Sequence, residues 1–200
     1  VGLAMAGFAA RTCAATGTHD TLTVRALVMD NTALVTVDVI GIDAALSQRV
    51  RSSCSLPADA VTILATHTHG GPVSMPGRLS IKADSVYMDQ LETGIVEAIE
   101  QAAMARQAAR VFGGTGVDPG FAENRRTTDG PVDRTLPVLR FESALGRPIA
   151  ILTSYACHPV VLGADNLEWT GDYPHFARKA IEAANPGAIA LIATGCAGDV

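Results

Sequence analysis

Residues 61–72 read VTILATHTHGGP: a short, mainly apolar run, Val61 to Thr66, passes without a break into a segment of two histidines, two glycines and a proline. The apolar run predicts a buried strand, and the His, Gly and Pro residues after it predict a loop. In α/β sheets that junction is where sites are built, because strand ends hold side chains rigidly beside a loop-lined crevice. In extended chain, residues i and i+2 share a face, so His67 and His69 are expected to address one pocket. Gly70, Gly71 and Pro72 suit a tight turn that lets a ligand approach the backbone. The plainer alternative is a pair of loop histidines satisfied by backbone carbonyls.

Upstream of this junction, apolar and polar positions alternate from Thr21 to Met29, which predicts a strand. Asp30 and Asn31 then turn the chain into ALVTVDVIGI at 33–42, apolar almost throughout, so expected to be buried on both faces and paired with the first strand as a hairpin. Asp43 suits the N-cap of a helix reaching Cys54, with Leu46 and Val50 one turn apart and Pro57 ending it. Downstream, a loop runs from Gly70 to about Ser80. A helix is expected from Asp84 or Ser85 to about Arg110, with Leu91, Ile95, Ile99 and Ala102 as its apolar stripe. Strands are predicted near 110–117, 136–142 and 148–155, then a helix from Pro174 to Ala184 and a last strand, AIALIAT. Strands interleaved with helices predict an α/β class: a layered domain with a mixed β-sheet flanked by helices and histidine-bearing loops at strand ends.

The 200 residues are 48% hydrophobic and 18% charged, with mean hydropathy +0.25, ample for a buried core and too apolar for a disordered chain. Lys and Arg number 15 against 20 Asp and Glu, a net −5 without a basic cluster, so no nucleic-acid partner is expected. VGLAMAGFAA at the start has the length of a signal-peptide apolar region, but no Lys or Arg precedes it. Arg11 and Thr12 close it well short of the roughly 20 apolar residues that cross a bilayer. No transmembrane segment is therefore expected, and the compartment stays open between cytoplasmic and secreted. Cys13, Cys54, Cys157 and Cys196 are widely spaced without a CxxC pair and read as reduced, mostly buried thiols. One domain is the economical count. The opening on Val1 and the stop after GCAGDV read as cut ends.

Of the five histidines, His67, His69 and His158 fall where an apolar strand gives way to a loop. Two imidazoles on one face and a third from a different strand suit zinc, whose catalytic sites use about three protein ligands and keep one position open for water. Asp38 is a carboxylate within an apolar strand, costly unless it is paired or braces a metal ligand. Asp172 and Asp199, each beside a glycine, are candidates for the same bracing role, with an ordinary turn or cap as the alternative. Arg125, following Asn124 in a polar loop, suits clamping a carbonyl or carboxylate; a solvated surface charge is the alternative. Cys157 beside His158 sets a thiol next to a base, but neighbours along a strand face opposite ways.

The ordered set MAGFA (5–9), VRALVMD (24–30), VTVDVIG (35–41), THTHGGP (66–72), ENRR (123–126), VDRTLPVLRF (132–141), CHPVVL (157–162), TGDY (170–173) and GCAGDV (195–200) resembles the N-terminal domain of neutral/alkaline non-lysosomal ceramidases and their bacterial relatives. The resemblance spans nearly the whole chain. It implies a zinc-dependent amidase that splits ceramide into sphingosine and a fatty acid. On that likeness His67 and His158 bind zinc, while His69 and Arg125 line the active site and assist the substrate's polar groups. Asp38, Asp172 and Asp199 would then brace the imidazoles. The likeness also implies a glutamate and a tyrosine ligand further along, and a serine after GDV. The chain, residues 1–200, is thus expected to be the N-terminal half of such a catalytic domain.

Three departures stand out: the family's HTHSGP is here HTHGGP, NRSP is NRRT, and GCAGD replaces a segment richer in Ser and Asn. They touch the pocket rather than the zinc positions, and leave another N-acyl amide as eligible as ceramide. Two alternatives stay open. A metallo-β-lactamase-like hydrolase needs HxHxDH, where this chain has Gly71 and Pro72 in the last two places. An inactive homologue acting as a lipid- or carbohydrate-binding module would use HTHGGP as a turn only.

Overall fold

The computed structural model describes residues 1–77 and 82–200. The chain runs β1 (Gly17–Thr18), β2 (Val24–Met29), β3 (Thr32–Val37), α1 (Ala44–Ser53), a 3-10 turn (Ala58–Ala60), β4 (Val61–Ala65), α2 (Ser85–Met104), β5 (Ala109–Val117), β6 (Thr135–Ser143), β7 (Pro148–Tyr155), β8 (Glu168–Trp169), α3 (Tyr173–Ala184) and β9 (Ile189–Thr194). Part of the loop expected from Gly70 to Ser80, residues 78–81, lies outside the described residues. Two compact units divide the rest: Val1–Arg106 with Pro159–His175, and Gln107–His158 with Phe176–Val200.

In the first unit β2 and β3 form the expected hairpin, in register from Val24↔Val37 to Met29↔Thr32. Its turn places Asp30 at φ 51, a left-handed conformation that aspartate tolerates better than most residues. β3 then pairs in parallel with β4, Ala33↔Val61 to Val37↔Ala65, and α1 lies in the crossover between them. Asp43 caps α1 as anticipated, its Oδ1 accepting from the Leu46 N–H at 2.7 Å. Leu46 and Val50 are fully buried. Asp84 caps α2 in the same way, accepting from the Tyr87 N–H at 2.8 Å.

The buried face of α2 is Met88, Leu91, Ile95, Ile99 and Ala103, so the stripe closes on Ala103 rather than Ala102, a full turn beyond Ile99. Met88, Leu91, Ile95 and Ile99 join Val35, Val37, Val39, Leu46 and Val50 in one continuous core, each large aliphatic contributing about 1.5–3 kcal/mol by leaving water. α2 ends at Met104, short of the expected Arg110. There Arg106 Nε donates to the Ala103 carbonyl at 2.8 Å, satisfying an open carbonyl of the last turn. Ala109 and Arg110 instead begin β5, paired with Ser143 and Glu142; ladder formation overrides the helical propensity of ARQAAR. The two-residue parallel pair β1 and β8, Gly17↔Glu168 and Thr18↔Trp169, is too short to leave any period in the sequence.

The second unit is a four-stranded sheet in the order β5-β6-β7-β9. β5, β6 and β7 are antiparallel neighbours, and β9 joins β7 in parallel from Ala150↔Ile189 to Tyr155↔Thr194. Phe141, Ala150, Ile151, Ala190, Leu191 and Ile192 are buried. α3 closes onto this sheet at its C-terminal end: Glu182 Oε1 accepts from the Ala190 N–H at 3.0 Å, and Asn185 Oδ1 from Arg140 Nη1 at 2.7 Å.

The mixed α/β class holds, but the single mixed sheet expected resolves into two mixed sheets and the β1–β8 pair. The cysteines are all free as read, yet not mostly buried: Cys13 and Cys196 lie exposed in loops, and Cys54 and Cys157 are half-buried. Among the described residues no helix is long and apolar enough to cross a membrane.

Candidate metal centre

β3 and β4 end together, and their loops stay zipped past the last paired residues. The Thr66 N–H donates to the Val37 carbonyl at 2.8 Å and the His67 N–H to Val39 at 3.0 Å. His67 Nδ1 then meets the Ile40 carbonyl at 2.6 Å. A carbonyl only accepts, so Nδ1 carries the proton, and a neutral ring offers its lone pair at Nε2. Residues 66–68 are not strand, and His67 sits at φ 66. The rings of His67 and His69 do come together, centroids 5.1 Å apart and planes at 82°. What brings them together is this left-handed kink rather than the strand alternation expected.

His69 is walled in by the MAGFA segment. Phe8 meets its ring edge-on at 4.8 Å, and a Cβ on Gly7 would stand 2.5 Å from His69 Cβ. With φ 101 as well, Gly7 is a position only glycine fills. Arg11, read from sequence merely as the end of an apolar segment, is buried and organises this corner. Its Nη1 donates to the carbonyls of Ala6 at 2.8 Å and His69 at 2.7 Å, its Nη2 to Gly163 at 3.3 Å. Burial pushes the guanidinium pKa down, and Asp165 opposes that. Nothing in spacing or composition marked Gly7 or Arg11.

Asp38 is buried at 2% exposure and spends its oxygens on Thr23 N–H (2.8 Å), Thr23 Oγ1 (2.9 Å) and Thr66 Oγ1 (3.1 Å). It thereby fixes the residue before His67. Asp172 is also buried and sits at φ 55. Its carboxylate accepts from the backbone N–H groups of Val161, Leu162 and Tyr173, so it braces the loop after CHP and the start of α3, not an imidazole. Asp20, which sequence reasoning missed, accepts from the Gly171 N–H at 2.8 Å and from Thr170 Oγ1. Thr170 in turn accepts at its carbonyl from Thr68 Oγ1 (2.7 Å) and donates its N–H to Gly70 (2.9 Å). A Cβ on Gly70 would meet Thr170 Cγ2 at 2.3 Å. The glycine that departs from HTHSGP is therefore matched to this threonine.

In the second unit the ends of β7 and β9 lead into CHP and GCAGDV. Four successive carbonyls of the latter loop hold two site residues. Ala197 meets His158 Nδ1 at 2.8 Å and Val200 accepts from the His158 N–H at 3.1 Å. Gly198 accepts from Arg125 Nη2 and Asp199 from the Arg125 N–H, both at 2.7 Å. Asp199 thus contributes its backbone, with its side chain exposed, where a bracing carboxylate was expected. Arg125 Nη2 also lies 3.4 Å from His158 Nδ1; since that nitrogen is committed as a donor to Ala197, the two are neighbours rather than a bonded pair. Cys157 Sγ points to the His158 carbonyl at 3.8 Å.

Both histidines expected to ligate therefore share one arrangement, Nδ1 on a backbone carbonyl, which is how ligating imidazoles are usually oriented. Within the first unit His67 and His69 present two imidazoles side by side, and in the second unit His158 presents another. An all-imidazole donor set suits divalent zinc, copper, iron or nickel.

A layered α/β domain with histidines at the carboxyl ends of parallel strands defines the class. The family model for neutral/alkaline non-lysosomal ceramidase, N-terminal, matches residues 1–193, and the chain belongs to that family. Neutral ceramidase B of Dictyostelium discoideum is 29% identical over 135 residues, 58% of this chain and 19% of that protein. The crystal structure of neutral ceramidase from Pseudomonas aeruginosa superposes with a TM-score of 0.87 at 22% identity, over 99% of this chain and 36% of that one. A ceramidase complexed with C2 matches at 0.86 and 22% identity, over 98% and 36%. The chain thus spans about a fifth of the curated relative's length, 19%. At these identities the structural likeness establishes the fold. The family match leaves the metallo-β-lactamase-like alternative without support.

Proposed function

We propose that this chain supplies part of the active site of a zinc-dependent amide hydrolase whose substrate is a ceramide-like N-acyl lipid. The observation that carries the reading is the shared orientation of His67 and His158, each with Nδ1 on a carbonyl, at 2.6 and 2.8 Å. That orientation assigns any ligating role to Nε2 of each ring. Bound zinc polarises a carbonyl and lowers the pKa of water towards about 7. His69, edge-on to His67, gives or takes a proton at the scissile amide. Arg125 keeps one N–H on Gly198 and turns its other donors to the amide carbonyl. Asp38 keeps His67 in place through Thr66. The ceramidase names of the relatives, and a relative complexed with C2, favour a lipid amide as substrate.

The test uses the polypeptide as encoded, incubated with an N-acyl sphingoid amide while free fatty acid and free amine are measured. Equimolar release of both, lost in His69→Ala and Arg125→Ala and abolished by a chelator, is expected. Tight binding of the lipid without release of either product would overturn the hydrolase reading in favour of a binding module.

A further inference from the structure

His175, in the first turn of α3, takes no part in the chemistry above. Its Nδ1 lies 3.2 Å from Asp20 Oδ1, and the two side chains are only 16% and 6% exposed. A carboxylate oxygen accepts, so Nδ1 carries the proton of this bond. Asp20 Oδ1 also accepts from the Gly171 N–H at 2.8 Å. Its Oδ2 accepts from Thr170 Oγ1 and, at the exposed rim, from His19 Nδ1 at 3.2 Å. Four donors thus offset the cost of burying the charge.

Followed by donor and acceptor, these bonds lead to His69. The Thr170 hydroxyl spends its proton on Asp20 and accepts from the Asp172 N–H at 2.9 Å. The Thr170 backbone in turn grips both neighbours of His69: its carbonyl accepts from Thr68 Oγ1 at 2.7 Å, and its N–H donates to the Gly70 carbonyl at 2.9 Å. Thr68 Oγ1, its proton used on Thr170, accepts from the Gly70 N–H at 3.0 Å. Thr68 and Thr170 are buried to 0% and 1% exposure, so water is not at hand to replace a lost bond. We propose that Asp20 and His175 are positioning residues for His69. His175 aims the Asp20 carboxylate at Thr170, and Thr170 holds the two residues that flank the imidazole. Every group in this chain of bonds belongs to the first unit. The proposal rests on the reading that His69 moves a proton at the scissile amide.

Backbone amide exchange, resolved by NMR on the polypeptide as encoded, tests this in His175→Ala, His175→Asn and Asp20→Asn. The amides of Thr170 and Gly70 are expected to exchange at least about tenfold faster in His175→Ala and Asp20→Asn, the effect of losing one hydrogen bond to a charged group. In His175→Asn the side-chain amide nitrogen can stand where Nδ1 stood, and the rates should return to within about threefold of wild type. The His67 amide, bonded to the Val39 carbonyl, and those of Ile95 and Ile99 within α2 should keep their wild-type rates throughout. Unchanged exchange at Thr170 and Gly70 in folded His175→Ala would overturn the proposal. So would acceleration that His175→Asn does not reverse, or that spreads equally to His67 and α2, which marks a general loss of stability. Should Asp20→Asn fail to fold, the His175 pair decides. Product release with unchanged exchange would sink the positioning role alone, and the expected exchange in a polypeptide that releases no product would sink the hydrolase reading alone.

Discussion

His67 holds a backbone conformation that costs a non-glycine residue about 1–2 kcal/mol, at φ 66. Two hydrogen bonds on its own N–H and ring keep it there. Strain of this kind at a side chain fitted to ligate is expected when geometry matters more than local stability. The cost can be measured by comparing two substitutions that both remove the imidazole. His67→Gly should be more stable than His67→Ala by roughly 1 kcal/mol in urea titration, because only glycine is at ease there; equal stabilities would show that the conformation carries no strain. That His67 and His69 would meet was legible in HTH. The kink that joins them was not, because a left-handed histidine has no sequence signature, and neither had Gly7, whose role depends on a ring 62 residues away.

At the scale of elements, the legible features were those written in local chemistry. Asp43 ahead of an i, i+4 pair gave α1, and VTILAT at 61–66 gave β4 with one residue too many, Thr66. Removing the α1 cap should cost about 1 kcal/mol: the urea midpoint of Asp43→Ala is expected to fall with no change in the slope of the transition, and an unchanged midpoint would deny the cap its role. What local chemistry could not reveal was competition between partners. ARQAAR reads as helix until β6 is present to pair with it. GCAGDV shows a lone Asp199 as the feature to notice, whereas the structure uses its run of carbonyls, groups that every residue possesses.

Over the whole molecule, the layered α/β class followed from strands interleaved with helices. The partition into two mixed sheets depends on long-range pairings that composition does not encode. Acid response is likewise a property of the assembled fold. The Glu100 carboxyl is held below its usual range by the Ser55 N–H and then the Ser55 hydroxyl, and that of Asp118 by hydrogen bonds that outweigh its burial. A carboxyl with a lower pKa folded than unfolded adds stability above its unfolded pKa, about 4, and loses it as pH falls through the folded value. Urea midpoints should therefore drop between about pH 6 and about pH 3, and drop less in Asp118→Asn; parallel losses in the two proteins would remove Asp118 from the account.

The zinc content of the purified polypeptide as encoded tests the central claim most directly. Elemental analysis after dialysis against metal-free buffer is expected to find about one zinc per chain in the wild type, and almost none in the His67→Ala, His158→Ala double variant at unchanged helical circular dichroism. A wild type without zinc, or a double variant that retains it in full, would contradict the assignment of these two histidines.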